Sequence, residues 1–298
     1  LDTKAGEFIA TATAPFFLEL ATFTPHNPSP VAPRNIGSHA GAQAPRDPTY
    51  DTAVDNPPSW SVGMPPIRPK EAKRLDAFWQ QRAESAESVA DSVDAVIATL
   101  ARTGHDKDTL VIVTSDNGFH VGSYRLHRGK RTAFDVDTVV PLVVLGPGIS
   151  AGRVVPQMAS ETDMGPTISE AMGAAAPDWV DGRSLWPLLD TSRTYGESTA
   201  WRTAVLSESL GTAVFGDPDY QLVAPPSYKA MRTREWLYVE SETGERELYN
   251  RVADPYELHN VIATAPKEIV DALHEQFTAL VACAGASCRV ADTRELPQ

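Results

Sequence analysis

A carboxylate and a carboxamide stand side by side at Asp116 and Asn117, within the run Ser115-Asp116-Asn117-Gly118. The oxygen atoms of such side chains are ligands for hard cations such as Ca²⁺ or Mg²⁺. A basic stretch follows shortly afterwards and contains Arg125, His127, Arg128, Lys130 and Arg131. Oxygen donors followed by cations predict a site that holds an oxyanion against a metal ion. The alternatives are an ordinary Asp-Asn-Gly turn and a solvated basic surface.

Two apolar runs flank these residues and predict the elements that position them. Residues 109–114 and 139–145 are rich in β-branched side chains, which is typical of buried strands. In open parallel sheets, ligands bind beyond the carboxyl ends of the strands. Asp116 and Asn117 directly follow the first of these runs, so the sequence places them at such an end.

A further candidate lies upstream, where His26 follows a predicted strand over residues 15–23. Its neighbours are Pro25 and Pro28, and a loop histidine without a chemical role is the alternative. Residues 24–69 contain eleven prolines and predict a long loop. Residues 70–102 carry apolar side chains at spacings of three and four, which predicts a long helix that packs against the sheet.

Composition and charge restrict the class of protein. The chain has 298 residues with 42% hydrophobic and 22% charged residues, which is typical of a globular protein. A formal net charge of −13 argues against a general nucleic-acid binder. No run of eighteen apolar residues is present, so the sequence predicts no membrane partner.

The C-terminal third changes character from about residue 201. Short runs of strand-forming residues are separated by turn residues such as Thr243-Gly244, which predicts an antiparallel sheet. A helix is predicted from Pro266 to about Ala282. Cys283 and Cys288 follow: a disulfide between them would indicate an oxidising compartment and favour a secreted or periplasmic protein, whereas two reduced thiols would suit the cytosol.

Several motifs resemble those of a known family. The stretch 109–148 contains SDNGFHVG, HRGK, FDVD, VPL and GPG in that order. This pattern resembles the second half of type I sulfatases, in the alkaline-phosphatase-like superfamily. The resemblance is closest to bacterial enzymes of the N-acetylglucosamine-6-sulfatase type, and it covers nearly the whole chain but only the C-terminal half of the family's pattern.

The resemblance implies a fold of the α/β class: part of a mixed, mostly parallel sheet flanked by helices, then a small antiparallel subdomain with a closing helix. Residues 1–200 would be the C-terminal portion of the catalytic domain and residues 201–298 the subdomain. It also implies roles for particular side chains. Asp116 and Asn117 would be metal ligands, His26 and Lys130 would contact sulfate and act in catalysis, and two further histidines would line the substrate site, His120 and His127.

Two parts of the family's site are absent from this sequence. The motif C/S-x-P-x-R, whose Cys or Ser becomes the formylglycine nucleophile, does not occur, and no Asp-Asp pair occurs. The resemblance therefore implies a sulfuric ester hydrolase whose missing N-terminal half supplies the nucleophile and further Ca²⁺ ligands. The expected substrate is a sulfated small molecule or glycan. The alternatives are a phosphodiesterase or phosphonate hydrolase of the same superfamily and a non-catalytic remnant that binds acidic glycans through residues 125–131.

Overall fold

A long helix, a narrow β-ribbon and a separate four-stranded sheet surround the Asp-Asn-Gly turn in the computed structural model. The structure describes residues 1–13, 15–190, 201–211 and 223–295. The predicted domain boundary at residue 200 falls at the end of the undescribed segment 191–200, and it stays a prediction.

Two helices form the N-terminal side. Helix α1 spans Asp2–Thr11 and packs on α2, which spans Pro69–Thr103, through buried Ala5 and Ile9. Helix α2 begins with a capping box between Arg68 and Glu71 and ends at Gly104, which is left-handed at φ 81°. The predicted helix over 70–102 is confirmed, as is the long irregular connection 24–69, whose helical pieces are two 3₁₀ turns.

The two predicted strands beside the candidate site form a pair. Strand β1 spans Val111–Thr114 and β4 spans Leu142–Leu145, with Val111 opposite Leu145. They run antiparallel, and no parallel pair of strands occurs among the described residues. A parallel pair needs a long crossover connection. Here residues 115–141 instead form a ribbon and a short helix that return the chain to the end of β1 from which it left.

The predicted strand over residues 15–23 is absent, because residues 16–23 are irregular and pair with no described strand. The prediction that both flanking strands are buried is also wrong. Every residue of β1 and β4 is at least partly exposed, and Val143 is 55% exposed. Apolar, β-branched composition indicates strand propensity, but burial depends on neighbouring elements that must cover both faces.

Between β1 and β4 lie the elements that shape the candidate site. Strands β2, His120–Val121, and β3, Arg128–Gly129, form a short antiparallel ribbon. Helix α3 follows at Asp135–Thr138. Helices α4, Met164–Ala171, and α5, Trp186–Leu189, come after β4.

The C-terminal part is an antiparallel sheet in the order β5-β6-β7-β8, as predicted. Its strands span Ala204–Ser209, Tyr228–Thr233, Trp236–Ser241 and Arg246–Asn250. Helix α6, Lys267–Ala282, covers one face, where Leu273, Phe277 and Leu280 pack on the sheet. Helix α7 spans Ala286–Ala291, and a disulfide joins Cys283 to Cys288.

The other face of that sheet packs on the elements around the candidate site. Tyr228, Ala230 and Tyr249 share a buried cluster with Tyr124 and Phe134. Polar contacts fix the same interface. Arg232 Nε donates to Asp135 Oδ1 at 2.7 Å, and Arg251 pairs with both Asp135 and Glu257. The four-stranded sheet is therefore a wall of the site region.

A second buried network is structural. Asp163 is fully buried and accepts two hydrogen bonds of 2.6 Å from the guanidinium of Arg202. Arg202 and Arg183 both pair with Asp292 of the C-terminal segment. Asp163 and Arg183 therefore join the C-terminal segment to the rest of the chain.

Candidate active site

The turn after β1 has a fixed shape. Ser115 Oγ donates to the carbonyl of Asn117 at 3.0 Å, and Asn117 Nδ2 donates to the carbonyl of Gly118 at 2.8 Å. The amide of Gly118 donates to the carbonyl of Asp137 in α3 at 2.8 Å. Because the Nδ2 of Asn117 is engaged within the turn, its Oδ1 atom is left to face outward.

Lys130 meets that oxygen. The ribbon pairs His120 with Gly129, so the chain leaving β3 returns to the beginning of β2, close to the turn. There Lys130 Nζ donates to Asn117 Oδ1 at 3.3 Å. Two residues thirteen positions apart, both predicted from the motifs, are thus brought into contact.

A cavity of about 310 Å³ opens at this contact. Asn117 and Lys130 lie in its wall together with eight further residues. These are Arg131, Thr132, Asp137, Thr138, Ser207, Glu208, Ser209 and Tyr228. Burial raises the pKa of the Tyr228 hydroxyl well above its ordinary value, with nearby Asp137 acting in the same direction, so the phenol stays neutral.

Arg131 was named in the basic stretch without a role, and its position next to Lys130 was the available signal. Ser207 and Ser209 lie on β5, far away in sequence, and only the pairing of β5 with Tyr228 and its neighbours brings them here. No local motif marks them.

His120 has a different position from the one predicted. It is 1% exposed, and its Nδ1 lies 2.9 Å from Asp137 Oδ2. Asp137 also accepts hydrogen bonds from the amide and hydroxyl of Thr132, at 3.0 and 2.7 Å. His120 therefore joins the ribbon to α3 and does not line the cavity, so its predicted role as a substrate contact gains no support from this position.

The basic stretch does not form a single surface. Arg125 donates to the carbonyls of Asp51 and Met64, and therefore anchors the long loop. His127 is exposed and has its Nε2 3.9 Å from Glu71 Oε2, on the side of α2. Neither residue lines the cavity. The predicted substrate contact through His127 gains no support from this position.

His26 is half-buried beside Phe23, and its Nδ1 lies 3.0 Å from the carbonyl of Asn27. It does not line the cavity. A chain of contacts nevertheless connects it with the turn. Arg82 of α2 donates to the carbonyl of Pro25 at 3.0 Å, and its guanidinium lies 4.2 Å from the ring centre of Phe119, the residue after Gly118.

A hard cation would find two oxygen donors in this turn. Asp116 is exposed, and Asn117 Oδ1 faces the cavity. Within the described residues, no group of three or more His, Cys, Asp or Glu side chains could hold a metal. Ca²⁺ takes six to eight oxygen ligands. The two side chains of the turn could supply only some of these oxygen ligands, and any such ion would need further ligands.

Comparison with known families is consistent with this geometry. A model described as Sulfatase matches residues 3–174. The chain belongs to the sulfatase family. A second model, described as the C-terminal part of N-sulphoglucosamine sulphohydrolase, matches residues 122–282 of this sulfatase chain.

Individual proteins with sulfatase or phosphonate hydrolase names are similar to most of this chain. Human N-acetylglucosamine-6-sulfatase is 29% identical over 301 residues, which cover 92% of this chain and 54% of the human protein. The phosphonate monoester hydrolase of Agrobacterium radiobacter is 25% identical, with a TM-score of 0.71 over 94% of this chain and 60% of that one. This sulfatase chain spans about half the length of the curated relatives it matches.

A third protein was solved in complex with its substrate D-glucosamine-2-N,6-O-disulfate. It is 21% identical and has a TM-score of 0.59, covering 70% of this chain and 42% of that one. At this identity the likeness shows the fold alone, which is the mixed α/β arrangement with a small antiparallel sheet.

Proposed function

We propose that this chain is the C-terminal half of a sulfuric ester hydrolase and that it supplies the cationic side of the sulfate site together with part of the metal site. The observation that carries the proposal is the contact between Lys130 Nζ and Asn117 Oδ1 at the wall of the 310 Å³ cavity. An ammonium beside a potential metal ligand is suited to an oxyanion that bridges both.

In this proposal Lys130 holds the sulfate oxygens as a charged hydrogen-bond donor. The family resemblance assigns protonation of the leaving oxygen to His26, which lies outside the wall of this cavity. Asp116 and Asn117 would hold Ca²⁺, or Mg²⁺, with ligands from the other half, and the bound cation would supply positive charge against the sulfate oxygens. Formylglycine, expected in the N-terminal half, would supply the nucleophile that this sequence lacks.

A sulfated sugar is the proposed substrate class. The named relative that aligns over most of this chain acts, by its name, on N-acetylglucosamine 6-sulfate. The cavity wall is polar on the side of β5, where Ser207 and Ser209 lie. Hydroxyl groups of this kind can exchange hydrogen bonds with the hydroxyls of a sugar.

Phosphonate ester hydrolysis is the second candidate, because the solved phosphonate monoester hydrolase has the same fold over 94% of this chain. A glycan-binding remnant built on residues 125–131 receives less support. Arg125 is engaged with the long loop, and only Lys130 and Arg131 of that stretch line the cavity.

The decisive experiment is a turnover assay in two forms. The purified chain with Ca²⁺ and an aryl sulfate should give no turnover, because it has no nucleophile. Combined with the upstream half that carries C/S-x-P-x-R, it should hydrolyse the aryl sulfate faster than an aryl phosphonate monoester. Lys130→Ala should lower that rate by about a hundredfold, while Lys73→Ala on the exposed side of α2 should not.

Robust turnover by the chain alone would refute the assignment of the nucleophile to the other half. A preference for the phosphonate ester would favour the second candidate over the first.

A further inference from the structure

Two arginines beside the proposed sulfate site stack on one aromatic ring. The guanidinium of Arg82 lies 5.8 Å, and that of Arg128 4.7 Å, from the ring centre of Phe78. Arg82 also lies over Phe119 at 4.2 Å. Cations within about 6 Å of an aromatic face are attracted to it. This arrangement holds both guanidiniums in place without using their hydrogen-bonding groups.

In the part of the chain that the structure describes, no carboxylate lies within salt-bridge distance of Arg82 or Arg128, whereas nearby Arg68 pairs with Glu71. Burial lowers the pKa of Arg82, and no acidic neighbour offsets this shift. A half-buried cation without a counter-charge is costly, so the position is suited to an anion that arrives from outside.

Donors remain for such an anion. Arg82 Nη1 donates a hydrogen bond to the carbonyl of Pro25. The other nitrogen atoms of Arg82 are not among the buried polar atoms that lack a hydrogen-bond partner. Its other N–H groups therefore reach solvent. Arg128 is exposed along β3.

The positions of Arg82 and Arg128 in the chain and in the fold relate them to the proposed sulfate ligands. Arg128 precedes Lys130 by two residues at the end of β3, a distance of roughly 7 Å along an extended chain. Arg82 touches the loop that carries His26 and the ring that follows the Asp-Asn-Gly turn. The two arginines therefore contact the elements that carry the proposed sulfate ligands, and both lie outside the wall of the cavity itself.

We propose that Arg82 and Arg128 form a second anion subsite, which takes a second anionic substituent, sulfate or carboxylate, on the sugar whose first sulfate lies at Lys130. The proposal rests on the proposed function for the position of the first sulfate. It predicts a preference for sugars with two anionic groups over sugars with one.

Binding to the chain tests this without any need for turnover. A hexosamine with one sulfate and the same hexosamine with two sulfates are titrated into the wild-type chain by calorimetry at low ionic strength. The disulfated sugar should bind about tenfold more tightly. Arg82→Gln and Arg128→Gln should each remove most of that advantage, because each removes one charged donor to the second anionic group. The affinity for the monosulfated sugar should change less than about twofold.

Controls separate the explanations. Arg153→Gln, at an exposed arginine elsewhere, should change the affinity for neither sugar. Arg82→Lys keeps the charge and should retain part of the preference, and melting temperatures of all variants exclude unfolding as the cause.

An equal loss of affinity for both sugars in Arg82→Gln would overturn the proposal, because the arginine would then contact the first sulfate. A wild-type chain that does not prefer the disulfated sugar would overturn it as well. If the arginine variants lose the preference but Lys130→Ala affects neither sugar, the subsite stands and the proposed position of the first sulfate fails.

Discussion

At the scale of single residues, Gly118 decides whether the candidate site can form. A Cβ added there would lie 2.1 Å from the carbonyl oxygen of Val136 in α3. The φ of Gly118 is not in the left-handed region, so backbone conformation does not require glycine there. The requirement is close approach, because the turn and α3 meet backbone to backbone.

Gly118→Ala should therefore lower the free energy of unfolding by about 1–3 kcal/mol, as overpacking does. It should also displace Asn117 from Lys130. Chemical denaturation measures the first effect. Gly165→Ala is the matched control, because a Cβ at Gly165 meets nothing within 4 Å and helix α4 gains a better helix former. A Gly118→Ala chain as stable as wild type would contradict the close approach.

Residue motifs predicted part of the site and missed the rest for a physical reason. Asn117 and Lys130 follow from SDNG and HRGK because both lie in one local ribbon. Ser207 and Tyr228 reach the cavity through long-range packing of a sheet, which leaves no local pattern. The sequence could not show that His120 turns inward to Asp137, because a histidine beside a motif can face either a cavity or a buried carboxylate.

At the scale of elements, the sheet β5–β8 connects the site to the C-terminal part, and Glu247 lies on its site-facing side. Glu247 Oε2 accepts a hydrogen bond of 2.6 Å from Tyr249, and no cation pairs with it among the described residues. Burial raises the pKa of this carboxyl to about 7 from an ordinary value near 4.5. The folded chain therefore binds a proton that the unfolded chain releases between these pH values.

Stability should consequently fall as the pH rises from about 5 to 8, with this group contributing on the order of 2 kcal/mol. Glu247→Gln should remove that part of the pH dependence. Its stability relative to wild type should therefore be higher at pH 8 than at pH 5. Urea unfolding at several pH values measures it. Glu235→Gln, at an exposed site, should keep the wild-type slope, and parallel curves for wild type and Glu247→Gln would contradict the burial of an unpaired carboxyl.

At the scale of the whole molecule, apolar surface remains uncovered near β1 and β4. Val139 is 49% and Val143 55% exposed, and Phe17 and Phe23 are also exposed. The sequence predicted the strand-forming composition of these two segments. It could not predict the antiparallel pairing or the missing strand at 15–23, because a strand requires a partner and the local sequence does not specify which one is present.

The isolated chain should therefore self-associate at micromolar concentrations or bind a complementary half. Val143→Glu should shift sedimentation towards the monomer, because it places a charge in the exposed patch. Val252→Glu is the matched control, since Val252 is 72% exposed outside this patch. A wild-type chain that stays monomeric at all concentrations would contradict the association through β1 and β4.

The most direct test of the central claim is a titration of the ¹⁵N-labelled chain with inorganic sulfate, followed by NMR. We expect chemical-shift changes for the side-chain amide of Asn117 and the backbone amides of Gly118 and Thr132. The affinity for sulfate should fall about tenfold in Lys130→Ala and stay unchanged in Lys73→Ala. Shifts confined to other surfaces, or an unchanged affinity in Lys130→Ala, would contradict it.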